Sequence, residues 1–128
     1  MLPWLTLALA APPILVVKAE PLGSGDDRTA TAIEERVRAV GPAWLTCWAD
    51  HAATDSLRNI QIELAMRSTR GDVRKATVLS GTGTEALDAC ALTLARAIVL
   101  DPPPVYGDHV RASITWMLAP EDRPPVTP

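Results

Sequence analysis

Residues 59 to 67 alternate in character, with Ile60, Ile62, Leu64 and Met66 on one side and Asn59, Gln61, Glu63 and Arg67 on the other. A period of two marks a half-buried strand, apolar toward a core and polar toward water. Ser68-Thr69-Arg70-Gly71-Asp72 then reads as a turn, and Val73 to Ser80 as a second strand ended by Gly81. The last apolar stretch alternates again. Val110, Ala112, Ile114, Trp116 and Leu118 point inward, and Arg111, Ser113, Thr115 and Met117 outward. Near the start, Ile14 to Val17 is a short β-rich run that predicts an extra strand, followed by a turn-rich loop from Pro21 to Asp27.

Elsewhere the spacing changes to three and four. Ile33, Val37, Val40, Trp44, Cys47 and His51 recur as one helical face. Thr31-Ala32-Ile33-Glu34 has capping-box spacing, which sets the helix start near Thr29 to Thr31. Gly41-Pro42 interrupts the face and predicts a kink or two abutting helices, with Pro42 in a first turn. Thr82-Gly83-Thr84-Glu85 offers a second capping box. The helix behind it would bury Leu87, Cys90, Ala91, Leu94 and Ile98, and Asp101-Pro102-Pro103-Pro104 stops it. Helices on one face of an antiparallel sheet make an α+β domain. The expected architecture is therefore two-layer, a three- to four-stranded antiparallel sheet with two helices packed on one face.

Length and composition narrow this further. A chain of 128 residues with 48% apolar content is one domain with room for a real core. A net charge of −3 gives no general drive toward nucleic acid or anionic lipid. The densest basic cluster, Arg67, Arg70, Arg74 and Lys75, straddles a turn and reads as a solvated hairpin. Leu2 to Ala11 is an apolar run, and Ala8-Leu9-Ala10 supplies a small-x-small pattern, so residues 1–10 are expected to be an export signal, although no Lys or Arg precedes the run. The longer apolar stretch from Leu2 to Val17 is interrupted by Pro3, Pro12 and Pro13 and is too short for a membrane span. The expected division is a signal over 1–10, a short strand and loop over 11–27, the α+β domain over 28–119 and a disordered, proline-rich tail over 120–128. The export signal implies a periplasmic or exported protein.

Two cysteines, Cys47 and Cys90, fit that compartment, where an even pair is more often bridged than free. Two other uses remain open at this point. Cys47 and His51 stand at i and i+4 and could share a metal, but a closed site would also need Cys90 and His109, scattered and without paired ligand spacing. Free thiols are the third option. A disulfide accounts for both sulfurs most simply, so no metal is expected. Gly81-Thr82-Gly83-Thr84-Glu85-Ala86 matches a dinucleotide-binding spacing, with Asp101 twenty residues beyond Gly81. Arg74 and Lys75 make the preceding strand too polar for a buried parallel one, and too little chain follows for a second nucleotide half. No cofactor is expected. Glu34-Glu35 and Glu121-Asp122 are adjacent carboxylates whose side chains diverge, no nucleophile elbow is present, and Trp44 and Trp48 read as core. None of these features points to an enzyme, and no catalytic residue is assigned.

With these residues placed, the region from Ile33 to Leu118 resembles the TonB C-terminal domain superfamily, more narrowly the AgmX/PglI C-terminal type. The resemblance rests on Cys47-Trp48, the alternating Ile60 to Met66, Gly71-Asp72-Val73, Ala76-Thr77-Val78, Gly81 to Thr84, Leu87-Asp88-Ala89-Cys90, Pro102 to Pro104 and Val110 to Leu118, taken in order. Trp48 stands where tyrosine is usual, and Leu100-Asp101-Pro102 replaces a typical Phe-Pro. The resemblance implies a non-enzymatic module of the cell envelope that binds an extended partner segment by β-strand addition along the last strand. Arg111, Ser113 and Thr115 would then flank the partner-binding edge. The partner is a protein or peptide, with a homodimer through the same edge as another use of it. Nucleic acid and small-molecule substrates are not expected. The alternative is a structural or diverged periplasmic domain without strand-docking activity.

Overall fold

The computed structural model describes residues 13–23, 26–51, 57–104 and 109–118. The expected export signal and C-terminal tail lie outside them. The chain runs β1 (Pro13–Pro21), α1 (Asp27–Ala39), α2 (Gly41–His51), β2 (Arg58–Met66), β3 (Val73–Ser80), α3 (Glu85–Arg96) and β4 (His109–Leu118). Its four strands form one antiparallel sheet in the order β1-β4-β2-β3. The fold is α+β, as the two periodicities predict, with three helices where two were expected.

The third helix comes from Gly41-Pro42. Proline carries no N–H and is accommodated only in a first turn. Accordingly α1 ends at Ala39 and α2 begins at Gly41, with Pro42 as its second residue. The break also rotates the face. Ile33, Val37, Trp44 and Cys47 are buried, but Val40, at the joint, is exposed.

Core residues come from every element except β3, whose Val73, Ala76 and Val78 are partly buried against the rest. Ile33 and Val37 of α1, Trp44 and Cys47 of α2, and Leu87, Ala91 and Ala95 of α3 share one cluster with Ile60, Ile62 and Leu64 of β2 and Val110, Ala112, Ile114 and Trp116 of β4. Ile60, Ile62, Leu64 and Met66 of β2 and Val110, Ala112, Ile114 and Trp116 of β4 are thus buried as expected, and Arg111, Ser113 and Thr115 lie on the other side of the sheet, partly exposed. Ile98 is buried too, but beyond the end of α3 at Arg96.

Neither expected capping box forms. α1 starts at Asp27, and Asp26 is its cap, the carboxylate accepting from the Arg28 N–H at 2.9 Å. At α3 the Thr84 side chain makes no capping bond. Instead Asp88, one turn into the helix, reaches back and accepts from the Thr82 N–H at 2.8 Å and the Thr82 hydroxyl at 2.7 Å. The glycine-rich spacing from Gly81 to Ala86 therefore serves a cap whose anion the chain itself supplies. It also follows an antiparallel edge strand, where a dinucleotide fold needs a parallel one.

β1 is more than a preface. It spans nine residues and pairs with β4 along its whole length, Pro13 opposite Leu118 and Pro21 opposite Val110. A domain boundary at residue 28 would cut this strand from its sheet, so the folded unit starts no later than Pro13.

Cys47 and Cys90 are bridged, with Cα atoms 5.8 Å apart, joining α2 to α3. This takes both sulfurs out of any metal set with His51 or His109.

Candidate functional site

Strand addition needs a row of unpaired N–H and C=O groups. The sequence places that row on β4, and the structure does not. β4 lies inside the sheet, hydrogen-bonded to β1 on one side and β2 on the other. The reason is β1: it continues past the four-residue run seen in the sequence, through Lys18 to Pro21, and fills the margin. Arg111, Ser113 and Thr115 face out as predicted, but they serve neighbouring strands. Arg111 pairs with Glu20 across from it on β1. The Asn59 amide on β2 donates to the Ser113 hydroxyl at 3.0 Å and to Thr115 Oγ1 at 2.8 Å. These three residues do not border an open edge.

The sheet's true margins are β1 and β3. The outer side of β1 is closed by α1, which runs back alongside it. Glu34 Oε2 accepts from the Ala19 N–H at 2.7 Å, and Arg38 Nη2 donates to the Val17 carbonyl at 3.2 Å. Residues 17 and 19 point the same way from a strand. One helical carboxylate and one guanidinium thus supply the acceptor and donor that a fifth strand would bring. The two side chains are themselves an i,i+4 pair, 3.5 Å apart. Sequence reading assigned Glu34 to a helix cap and so missed this role. The signal was present: a Glu and an Arg four apart on the helix that follows an edge strand.

This closure predicts a consequence. Replacing Glu34 and Arg38 together with alanine leaves the Ala19 N–H and Val17 carbonyl open beside the exposed side chains of Ile14 and Val16. An unprotected edge next to apolar residues templates pairing between chains. The double variant should lose about 1 to 2 kcal/mol of stability and self-associate more than the parent at equal concentration in sedimentation equilibrium. Identical association of the two proteins would show that the pair does not guard the strand.

β3 is different. Its start is covered: the Leu100 N–H donates to the Gly71 carbonyl at 2.7 Å, and Asp72 forms an isolated bridge with Val99. This approach requires glycine at 71, with φ +74, since a Cβ there would run into the Leu100 carbonyl oxygen. Past Asp72, no strand flanks the outer side of β3 among the described residues. Register shifts with β2 occur at both ends, between Ala65 and Met66 and between Gln61 and Ile62, leaving Arg74 and Leu79 as the extra residues. Between them Lys75, Ala76, Thr77 and Val78 pair regularly with β2. Arg74, Lys75, Thr77 and Leu79 are exposed. Arg74 and Lys75 of the basic cluster read as a solvated hairpin therefore border the stretch of margin, past Asp72, that no strand flanks among the described residues.

A groove of about 540 Å³ lies between α1 and the proline segment, walled by Ala32, Ala39, Leu100 and Pro102. Its rim mixes Asp26, Glu35 and Asp101 with Arg28 and Arg36, so it selects neither sign of charge. No helix among the described residues is long and apolar enough to cross a membrane.

Together these features define the class: a disulfide-bonded α+β domain with an open four-stranded antiparallel sheet, one margin bonded to a helix and the other flanked by no strand past Asp72 among the described residues. No protein-family model, characterised protein or solved structure matches the chain.

Proposed function

We propose that this domain is a non-enzymatic interaction module of the cell envelope that binds an extended partner segment by β-strand addition, with the outer margin of β3 as the dock. The observation that carries this reading is the asymmetry of the sheet. Glu34 and Arg38 occupy the Ala19 N–H and the Val17 carbonyl on the outer side of β1, whereas the backbone of β3 meets no neighbouring strand on its outer side beyond Asp72 among the described residues. Main-chain hydrogen bonds along such a margin supply affinity, and alternate side chains supply choice. The Cys47–Cys90 bridge supports an oxidising compartment, and an export signal over residues 1–10 would deliver the chain there. Kinship with the TonB C-terminal domain superfamily is part of the same proposal. It is supported by the order of a helix bearing Cys47, two antiparallel strands, a helix bearing Cys90 and a closing strand.

One observation favours the alternative, a structural domain without docking. The extra residues at both ends of β3, and Lys75 between them, are devices that natural sheets use to blunt an edge.

Hydrogen exchange separates the two readings. On titration with an extended peptide about as long as β3, whose length is eight residues, exchange should slow by about tenfold or more in amides of residues 73–80 and stay unchanged in 13–21. Unchanged exchange throughout would favour the structural reading. Faster exchange in 13–21 would mean that the peptide displaces β1 and docks on β4 instead.

A further inference from the structure

The β3 margin carries a charge that the rest of the sheet does not. From Arg67 to Ser80 there are four cations, Arg67, Arg70, Arg74 and Lys75, against the single carboxylate of Asp72. That carboxylate already faces Arg67 at 3.5 Å. Arg70, Arg74 and Lys75 are exposed and form no ion pair among the described residues. On the neighbouring strands, by contrast, Glu20 is matched with Arg111, and Glu63 lies 3.0 Å from His109. The chain as a whole is acidic, at −3, so this positive stripe is local. Its far end changes character, with Leu79 47% exposed.

Resting on the strand-addition reading above, we infer that the β3 dock selects an acidic extended segment, one with carboxylates opposite Arg74 and Lys75 and an apolar side chain near Leu79. Complementary charge raises the encounter rate and rejects wrong partners through like-charge contact. The same stripe disfavours a second copy of this chain as the occupant. In a two-fold antiparallel pairing of β3 with itself, Arg74 and Lys75 of each copy would meet the Leu79 and Ser80 end of the other. β3 itself carries no carboxylate to meet them, and both cationic stripes would share one sheet.

The test uses the full, disulfide-bonded chain and two peptides about as long as β3, one alternating valine with glutamate and the other valine with lysine. Affinity is read by fluorescence anisotropy and location by hydrogen exchange. At low salt the glutamate peptide should bind the parent at least about tenfold more tightly than the lysine peptide, as expected when two exposed charges change from attraction to repulsion. The preference should shrink at high salt, where exposed charges are screened. It should invert in the double variant Arg74→Glu/Lys75→Glu, whose changes lie on exposed side chains.

Equal affinity of the two peptides, with both protecting residues 73–80, would overturn the acidic preference and leave strand addition standing. Protection elsewhere, or none with either peptide, would overturn both. Peptide-free dimers protected along β3, and unaffected by the glutamate peptide, would name a second copy as the occupant and overturn the acidic partner.

Discussion

Replacing Cys47 and Cys90 together with alanine should lower the free energy of unfolding by about 4 kcal/mol. The bridge spans 43 positions in sequence. In the chain-entropy account, cutting it returns that loop's freedom to the unfolded ensemble. The loss is a large share of a domain stability of about 5 to 15 kcal/mol. The native state feels it as well, because the bridge joins α2 to α3, and Cys47 sits in the core at 1% exposure. Urea denaturation with and without reductant checks this in the unmodified chain, and the alanine pair checks it without reductant. The midpoint should fall, and the slope should rise, because an unlinked chain exposes more surface when it unfolds. An unchanged midpoint under full reduction would remove the bridge from the list of what holds this fold together.

The strands and the bridge were legible because their signals are local or nearly so. Ile60 to Met66 and Val110 to Trp116 show a period of two that has one structural meaning, and β3 runs over the residues its turn signals bracket. What was not legible depends on which strand lies beside which. Val16 and Ile14 are exposed, and of β1 only Val17 is fully buried. A strand so thinly anchored gives a weak pattern, so its four-residue core hid nine residues of pairing. That one element converts β4 from a margin into an interior strand and moves the candidate dock across the sheet. Capping failed for a related reason. Glu34 has the spacing of a helix cap, but Ala19 presents a backbone N–H that a carboxylate satisfies equally well, and only tertiary placement decides between them. The candidate residues changed role rather than position. Arg111, Ser113 and Thr115 face outward as their alternation predicts, yet bind Glu20 and Asn59. Lys75 and Arg74, read as solvent decoration, border the open margin.

The other large effect is expected at Trp116. Its side chain is fully buried on the interior strand β4, at a position flanked by Leu15 of β1 and Arg58 of β2. The ring packs against Trp44 of α2 with centroids 6.3 Å apart at a tilt of 40°, within the range of favourable aromatic pairs. Its Nε1–H donates to the Trp44 carbonyl at 2.8 Å inside the core. One side chain therefore supplies bulk, ring contact and a buried hydrogen bond that together hold α2 to the sheet. Trp116→Ala should cost about 3 to 5 kcal/mol, enough to bring a domain of ordinary stability close to unfolding. Phenylalanine at each tryptophan separates the hydrogen bond from the bulk. Trp116→Phe leaves the Trp44 carbonyl buried without its donor, at a cost of about 1 to 3 kcal/mol beyond lost volume. The Nε1–H of Trp44 is buried with no hydrogen-bond partner among the described residues, so Trp44→Phe breaks no bond found there and costs only volume. Urea curves followed by circular dichroism should therefore rank Trp44→Phe as the milder change. If the two phenylalanine variants unfold at the same midpoint, the bond from Trp116 does not fasten α2 to the sheet, and ring packing alone carries that contact.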